Sequence, residues 1–518
     1  MYEEEEGQED LIDPLAFFNT LLGGDILFER LMNFFRRKGG EMGMVDSLER
    51  ITDHSKIGVD KEEYARIADN MRIYAGHYDD VVYINSNGRE VSRPFKSLNI
   101  AKIVSRKMAK LVFNEGVTIS VDNEADDAFI QDVFNENRFT KNFGEQLEAG
   151  FAIGGLVLRP YYDANTEQIK ISFVQADSFF PLQSSSNDIS EGAIAHRTVV
   201  AEGKKNLYYT LLEFHEWSNG DYVISNELYQ SERKESVGVR VPLSTLEKYE
   251  DLEDEITLEN FHRPSFVYIK MAGRNNIDLN SPLSLGVIDN SKKQIIDINE
   301  KYDQFMWEIS EAGRKIIASD EFFKVRFDSH GHPMKNFDDK TSVFHKLRSD
   351  DMTLEEFSPN LRQEQFIESI NFILRIIELQ TGLSAGTFSF DGQSVKTATE
   401  VVSENSETYA TRSDNVIIIQ EALTELIISI FDLAEAYGLY NRSEDSEIMI
   451  NFDDGVFQSQ DSKLEFYGKA KSYDLIPKSI AMQRVFNISE EEANKWLDTM
   501  TDEKPQPFNT ADIFGEPE

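Results

Sequence analysis

The feature that most constrains this chain is a pair of helical segments between Pro359 and Tyr440, joined by a loop that no helix can absorb. In the first, Leu361 to Leu379, the residues Phe366, Ile370, Ile373, Leu374 and Ile377 recur at spacings of three and four, which draws one apolar stripe down a helix. Ser358-Pro359 supplies a cap and a first-turn proline, and Gly382 supplies a left-handed end. The connection Leu383-Ser-Ala-Gly-Thr-Phe-Ser-Phe-Asp-Gly-Gln-Ser-Val395 breaks the pattern, after which Thr397 and Glu400 form a capping box. From Thr397 the chain runs without Pro or Gly to Tyr437, a helix of roughly 60 Å at the standard rise. So long a helix is out of scale with a compact enzyme core. It suits an assembly built around an axis.

The 518 residues allow roughly two to four domains. A 40% hydrophobic fraction supports a packed core, so the chain as a whole is not disordered. The absence of cysteine excludes disulfide scaffolds, thiolate metal sites and cysteine nucleophiles, and fits assembly in a reducing cytosol. No apolar run is long enough to span a membrane, and the start Met1-Tyr-Glu-Glu-Glu-Glu lacks the basic flank of a signal peptide. Acidic residues number 93 against 53 basic ones, a formal charge of −40. That balance excludes the broad basic footprint of a tight DNA binder. It does not exclude a channel through which DNA slides, because each neutralised phosphate would add friction.

The segmentation reads as an α+β protein. Residues 1–40 are an acidic appendage with an amphipathic stretch, Leu15 to Phe35. Residues 41–288 mix helices (Glu62 to Tyr74, Leu98 to Phe113, Asp126 to Asn135, Thr140 to Ile153) with a hairpin around Asn87-Gly88. Strands are expected at Leu156–Tyr161, Ile169–Val174, Ala193–Val200, Leu207–Trp217 and Tyr222–Leu228, as an antiparallel sheet. Ile295, Ile298, Tyr302, Phe305, Ile309, Ala312 and Ile316 predict one helix across 289–319. Residues 320–358 alternate like a small β module around Ser329-His-Gly-His-Pro333. The second helix of the pair (359–381), the loop (382–396) and the long helix (397–440) follow. Residues 441–518 are acidic and mainly helical, with a strand at Ile448–Phe452, helices at Ser479–Phe486 and Glu490–Met500, and a Pro-rich tail.

No phosphate-binding loop of the Gly-x-x-x-x-Gly-Lys type is present; Gly203-Lys204-Lys205 and Gly468-Lys469-Ala470 lack the remainder, so the chain is not read as an ATP motor. The dinucleotide fingerprint and the His-Glu-x-x-His zinc motif are also missing. His330 and His332 read as a surface turn, Asp453-Asp454 as a turn cap or a Mg²⁺ ligand pair, and Thr387, Ser389 and Ser394 lack a nearby base. No metal or cofactor is expected. Three basic or aromatic features stand out. Lys102, Arg106, Lys107 and Lys110 line one helix face, read either as a solvated surface or as a contact face. Lys292, Lys293, Arg314 and Lys315 bracket the helix of 289–319, and Phe388 and Phe390 sit among small residues in the loop, as core anchors or as contact groups.

Several segments carry a resemblance in their order and spacing. They are Leu98-Asn-Ile-Ala-Lys-Ile-Val104 with Leu111-Val-Phe-Asn-Glu115; Glu145 to Pro160 with Gly154-Gly155; Val174-Gln-Ala-Asp177 with Phe180-Pro181; and Asn275-Asn-Ile-Asp278 with Ser281-Pro-Leu-Ser-Leu-Gly286. The strongest is Thr381-Gly-Leu-Ser-Ala-Gly-Thr-Phe-Ser-Phe390 followed by Lys396-Thr-Ala-Thr-Glu400. From about Met42 to Met500 the chain resembles the portal proteins of tailed bacteriophages of Gram-positive hosts.

The resemblance implies a ring, typically of twelve subunits, at one capsid vertex. Double-stranded DNA would enter through it at packaging and leave through it at infection. It implies an α+β wing (41–288), a two-helix stem (289–319 and 359–381), a β clip (320–358), a tunnel loop (382–396), a long wing helix (397–440) and a mainly helical crown (441–518). The loop would present Leu383, Ser384, Thr387, Phe388, Ser389, Phe390, Gln393 and Lys396 to DNA, with Lys292 and Lys293 as transient phosphate contacts. Phe323, Lys324, Arg326, His330, His332 and Lys335 of the clip would meet the large terminase subunit, whose ATPase drives packaging, and the head-tail adaptor. Further implied partners are copies of the chain itself and the major capsid and scaffolding proteins, with no membrane. The implied setting is the virion, assembled in the host bacterial cytoplasm. The competing readings are a Mg²⁺-dependent DNA-processing enzyme using Asp453 and Asp454, and a capsid scaffold or adaptor without a channel.

Overall fold

A computed structural model describes residues 47–502, apart from 86–87, 115–116, 186–187, 259–260, 262, 313–314, 320–325, 328–329, 331–332, 335–342, 347–353, 358–359, 390–404, 444–445, 453–459, 474, 487 and 489. The fold is mixed α+β and divides into two compact units. The amphipathic stretch Leu15 to Phe35, the capping box Thr397/Glu400 and the Pro-rich tail lie outside the described residues.

The first unit, residues 1–61 and 178–264, is built on an antiparallel sheet. Its order is Ser47–Leu48, Gly238–Val241, Asp221–Ser231, Lys205–Ser218, Asp188–Glu202, Phe179–Ser185, with Glu255–Leu258 paired to Asp221–Ser231. Strand alternation fails in the middle of Lys205–Ser218. Tyr209 through His215 are all buried, so both faces of the sheet are covered there. One face holds Tyr209, Leu211, Leu228, Leu243 and Tyr249. Polar side chains brought inside are paired. His215 bridges Glu213 (2.6 Å) and the Tyr222 hydroxyl (2.7 Å), and Glu227 meets His54 at 3.1 Å and receives the Tyr229 hydroxyl at 2.7 Å.

The second unit, residues 62–177 and 265–518, contains, among the described residues, nine α-helices and most of a tenth together with five small sheets. Helix α1 (Lys61–Ala75), whose first residue falls in the first unit, precedes the hairpin Val81–Ile84/Glu90–Arg93. Helix α2 (Ile100–Val112) packs on α4 (Phe139–Ile153), while α3 (Glu124–Glu136) starts on an Asn123 side chain that accepts from the amides of Ala125 and Asp126. Leu156–Asp163 pairs antiparallel with Gln168–Gln175 and with Val267–Ile269. Helix α5 (Lys292–Glu311) and helix α6 (Gln363–Gln380) pack as an antiparallel-connected pair, with Phe305 stacked on Phe366 at 5.0 Å. Helix α7 (Ser406–Ala436) runs about 46 Å at 1.5 Å per residue and packs on α2 and on the Leu156–Asp163 sheet. Ile448–Phe452 pairs with Val117–Val121, and α8 (Gln460–Ser472), α9 (Lys478–Phe486) and α10 (Glu490–Asp502) close the described chain.

One expected element changes. The helix predicted over 289–319 ends at Glu311, and Lys315–Ser319 is a strand. Ile316 continues the three-and-four spacing, but Lys-Ile-Ile-Ala-Ser serves a strand equally well. It pairs parallel with Val343–Lys346 and antiparallel with Leu354–Phe357. The β module is therefore a three-stranded sheet centred on the end of the predicted helix, beside a hairpin of Arg326–Phe327 and Pro333–Met334.

The start of α5 is fixed by a buried ionic knot. Arg66 of α1 donates to both Glu63 oxygens (3.1 and 3.2 Å), to Asp289 (2.5 Å) and to the Ser284 carbonyl (3.1 Å). Glu63 also accepts from Asn275 and Ser281. Burial alone would depress the Arg66 pKa, but Asp289 and Glu63 beside it raise it above its usual value. Close backbone approach explains the glycines here. A Cβ on Gly286 would stand 2.1 Å from the Ala152 carbonyl, and one on Gly154 2.5 Å from the Ser284 carbonyl. The segments Gly154-Gly155 and Asn275 to Gly286, separate in sequence, thus meet at this knot. Further along α5, Asp303 receives Arg93 through two bonds of 2.6 Å and the Lys96 amide, and Asn299 holds the Leu98 amide.

Candidate functional site

The site begins where α6 stops. The Leu383 amide bonds the Glu378 carbonyl at 2.9 Å and the Gly382 amide bonds the Leu379 carbonyl at 3.4 Å, the paired closure of a helix ending on a left-handed residue. Gly382 supplies that conformation, with φ +68°. Leu383, the next residue, folds back onto the helix end and is 2% exposed.

Two ties then hold the loop. The first runs to α7: the Ser384 amide donates to Thr408 Oγ1 (2.9 Å), the Thr408 amide to Ser384 Oγ (3.2 Å), and Thr411 Oγ1 to the Gly382 carbonyl (2.6 Å). Thr408 lies in the first turn of α7, whose amides lack helical partners, and Asn405 makes no side-chain cap. Ser384 performs that capping from a distance. The second tie is Glu378, fully buried, whose carboxylate accepts the amides of Gly386 (2.9 Å), Phe388 (2.5 Å) and Ser389 (3.0 Å).

The polar residues in the first half of α7 divide, with Ser406, Glu407, Ser413 and Asp414 exposed and another set turned into the chain itself. Thr408, Arg412 and Asn415 are buried. Arg412 donates to the Leu111 carbonyl (2.8 Å), and Asn415 accepts the Ala272 amide (3.1 Å). These side chains satisfy backbone groups left open at the ends of neighbouring elements. A cavity of about 270 Å³ lies beside the Gly382 crossing, lined among others by Met108, Phe151, Met271, Thr411 and Asn415.

Of the loop residues expected to face DNA, Leu383 and Ser384 are buried within the chain, Leu383 as the apolar partner of the helix end and Ser384 as the remote cap. Thr387 is half-buried and donates to the Ser384 carbonyl at 2.6 Å; Phe388 and Ser389 are half-buried. Phe390, Gln393 and Lys396 lie outside the described residues. Lys292 pairs with Asp69 (3.1 Å) and Asp289 (3.6 Å), and Lys293 is exposed. In the β module, Arg326 lies opposite Met334 in the hairpin and His330 is exposed at its turn. Phe323, Lys324, His332 and Lys335, like Asp453 and Asp454, fall outside the described residues. On α2, Arg106, Lys107 and Lys110 are exposed and Arg106 meets Glu148 at 3.2 Å. Among the described residues no group of three or more His, Asp or Glu is placed to hold a metal ion.

The sequence reading missed Glu378. A carboxylate in the last turn of a helix opposes the helix dipole, and that misfit next to a left-handed glycine is the signal that could have marked it.

No curated protein matches the chain. Among solved structures it is similar to the neck of an empty gene transfer agent particle computed with C6 symmetry, at 10% identity and a TM-score of 0.41, covering 81% of this chain and 93% of that one. It is similar also to a chain of the virion of a native gene transfer agent particle, at 9% identity and a TM-score of 0.38, covering 81% and 92%. The family model described as "Phage portal protein, SPP1 Gp6-like" matches residues 53–506, nearly the whole described chain, and the chain belongs to that family of phage portal proteins.

Proposed function

We propose that copies of this chain close into a ring, twelve in the simplest case, at one vertex of a phage capsid. Double-stranded DNA passes through that ring at packaging and ejection. The family match over residues 53–506 carries the reading. The geometry around Gly382 supports it, because two helices deliver a loop from a base tied on both sides. A heterologous interface that closes by rotation generates such a ring from one chain. The chain is no enzyme on this reading; a separate terminase ATPase supplies the energy and docks on the β module of residues 320–358, as does the head-tail adaptor. The formal charge of −40 lowers phosphate retention along the channel. Lys293 is the exposed candidate for transient phosphate contact.

Negative-stain images of the purified chain test the ring: annuli with a central hole are expected, and monomers under every condition would overturn it. Metal-stimulated cleavage of plasmid DNA by the same preparation would favour a DNA-processing enzyme instead.

A further inference from the structure

We infer that Glu378 is a positioning residue for the loop, holding Phe388 in place from beneath; the inference rests on the channel reading for its functional consequence. The observation is a carboxylate with no solvent exposure that accepts three backbone amides, from Gly386, Phe388 and Ser389. Oε1 serves Phe388 and Ser389 together, and Oε2 serves Gly386. A buried carboxylate is costly unless its oxygens are bonded, so the loop turn and the buried charge stabilise each other. Opening the turn strands the carboxylate, and removing the carboxylate strands three amides.

The three bonds to Glu378 fix backbone and involve no side chain of the loop itself. Nothing in it requires the identity of residue 388, so the side chain that meets a passing duplex can vary while its position is held. The neighbouring tie through Ser384 and Thr408 sets where the loop starts, and Glu378 sets how its first turn is shaped. Leu383 and Ser384 thereby act as foundation, and Gly386, Phe388 and Ser389 are the loop residues whose backbone placement depends on the carboxylate.

The test is Glu378→Gln in the full chain. Glutamine keeps the shape and one acceptor oxygen but turns an NH2 group toward an amide that needs an acceptor. Amide exchange at Gly386, Phe388 and Ser389 is expected to rise by about tenfold or more, as for loss of a charge-assisted hydrogen bond. Exchange at Leu426 and Ile430, deep in α7, is expected to stay unchanged. In particles assembled with the variant chain, the fraction retaining full-length DNA is expected to fall while ring assembly is kept, and Glu378→Asp, which keeps the charge, is expected to recover part of it. Unchanged exchange at the three amides overturns the positioning role. Raised exchange with wild-type DNA retention also overturns it as a functional device. A variant with Phe388 and Phe390 both replaced by glycine separates the two ideas: if that variant also packages and retains DNA normally, the loop reading itself fails rather than the role of Glu378.

Discussion

Replacing Gly382 by alanine tests the geometry of the loop base most directly. The residue sits at φ +68°, where an L side chain costs roughly 1–2 kcal/mol, partly offset by the lower entropy of the unfolded alanine variant. A second cost is steric. A Cβ at this position would stand 2.3 Å from Thr411 Oγ1 and 3.3 Å from its Cγ2, so the threonine must turn away. Turning it breaks the 2.6 Å bond to the Gly382 carbonyl, worth about 1 kcal/mol. Together the loop base loses on the order of 2–3 kcal/mol.

The two costs separate in a Thr411→Ala background. Truncation removes Oγ1 and Cγ2 and leaves Thr411 Cβ at 3.4 Å, an ordinary contact. There G382A is expected to cost only the backbone strain, about 1 kcal/mol, giving a coupling of roughly 1–2 kcal/mol between the two positions. Native-state hydrogen exchange at the Leu383 amide, bonded to the Glu378 carbonyl, reads the opening of this helix end directly. Equal costs in both backgrounds would refute the steric part. A G382A cost below about 0.5 kcal/mol would refute the left-handed closure as well.

Two further outcomes follow from buried charges. Arg66→Met leaves Glu63 and Asp289 without their shared cation and is expected to destabilise the chain by about 3–5 kcal/mol, read by denaturant unfolding; Lys at this position should rescue little, because it cannot reproduce the forked contacts. Burial raises the Glu227 pKa, but His54, Tyr229 and Arg240 together hold it at about 2, below the usual glutamate value of 4.5. Its folded pKa is depressed, so its contribution is full above pH 4.5 and is lost as pH falls toward about 2. The loss is on the order of 2 kcal/mol after allowance for solvent screening, and Glu227→Gln should flatten the acid limb of the stability profile.

What could be read in advance divides by the range of the interactions that decide it. The apolar stripe of α6, its glycine stop, and the long strands of the first unit are set by local periodicity, and they stand close to their expected bounds. The end of α5 was not legible, because Lys315–Ser319 is decided by partners at Val343–Lys346 and Leu354–Phe357, far along the chain. The same holds for Val117–Val121, whose partner strand is Ile448–Phe452. Helix α8 carries no clear apolar stripe, so its sequence gave no period to follow. Around the loop, Ser384 reads as a polar loop residue and Thr408 as a polar helix residue. Only their reciprocal bonds reveal that each closes the other's backbone.

That reciprocity alters what the polar half of a long helix signifies. Polar residues on a helix in an acidic chain suggest a face turned to water, to a neighbour or to DNA. Here Thr408, Thr411, Arg412 and Asn415 turn toward main-chain groups at Ser384, Gly382, Leu111 and Ala272, at the places where other elements end. Chain ends carry backbone donors and acceptors that hydrocarbon cannot satisfy. A helix crossing several such ends needs polar side chains on its inner face, whatever lies beyond the subunit. On the channel reading, Leu383 and Ser384 serve the loop base, and contact with moving DNA falls to residues from Phe388 onward. A base tied by Ser384 and Glu378 on opposite sides resists bending there, so a load on the loop passes into α6 and α7 rather than into a hinge at Gly382.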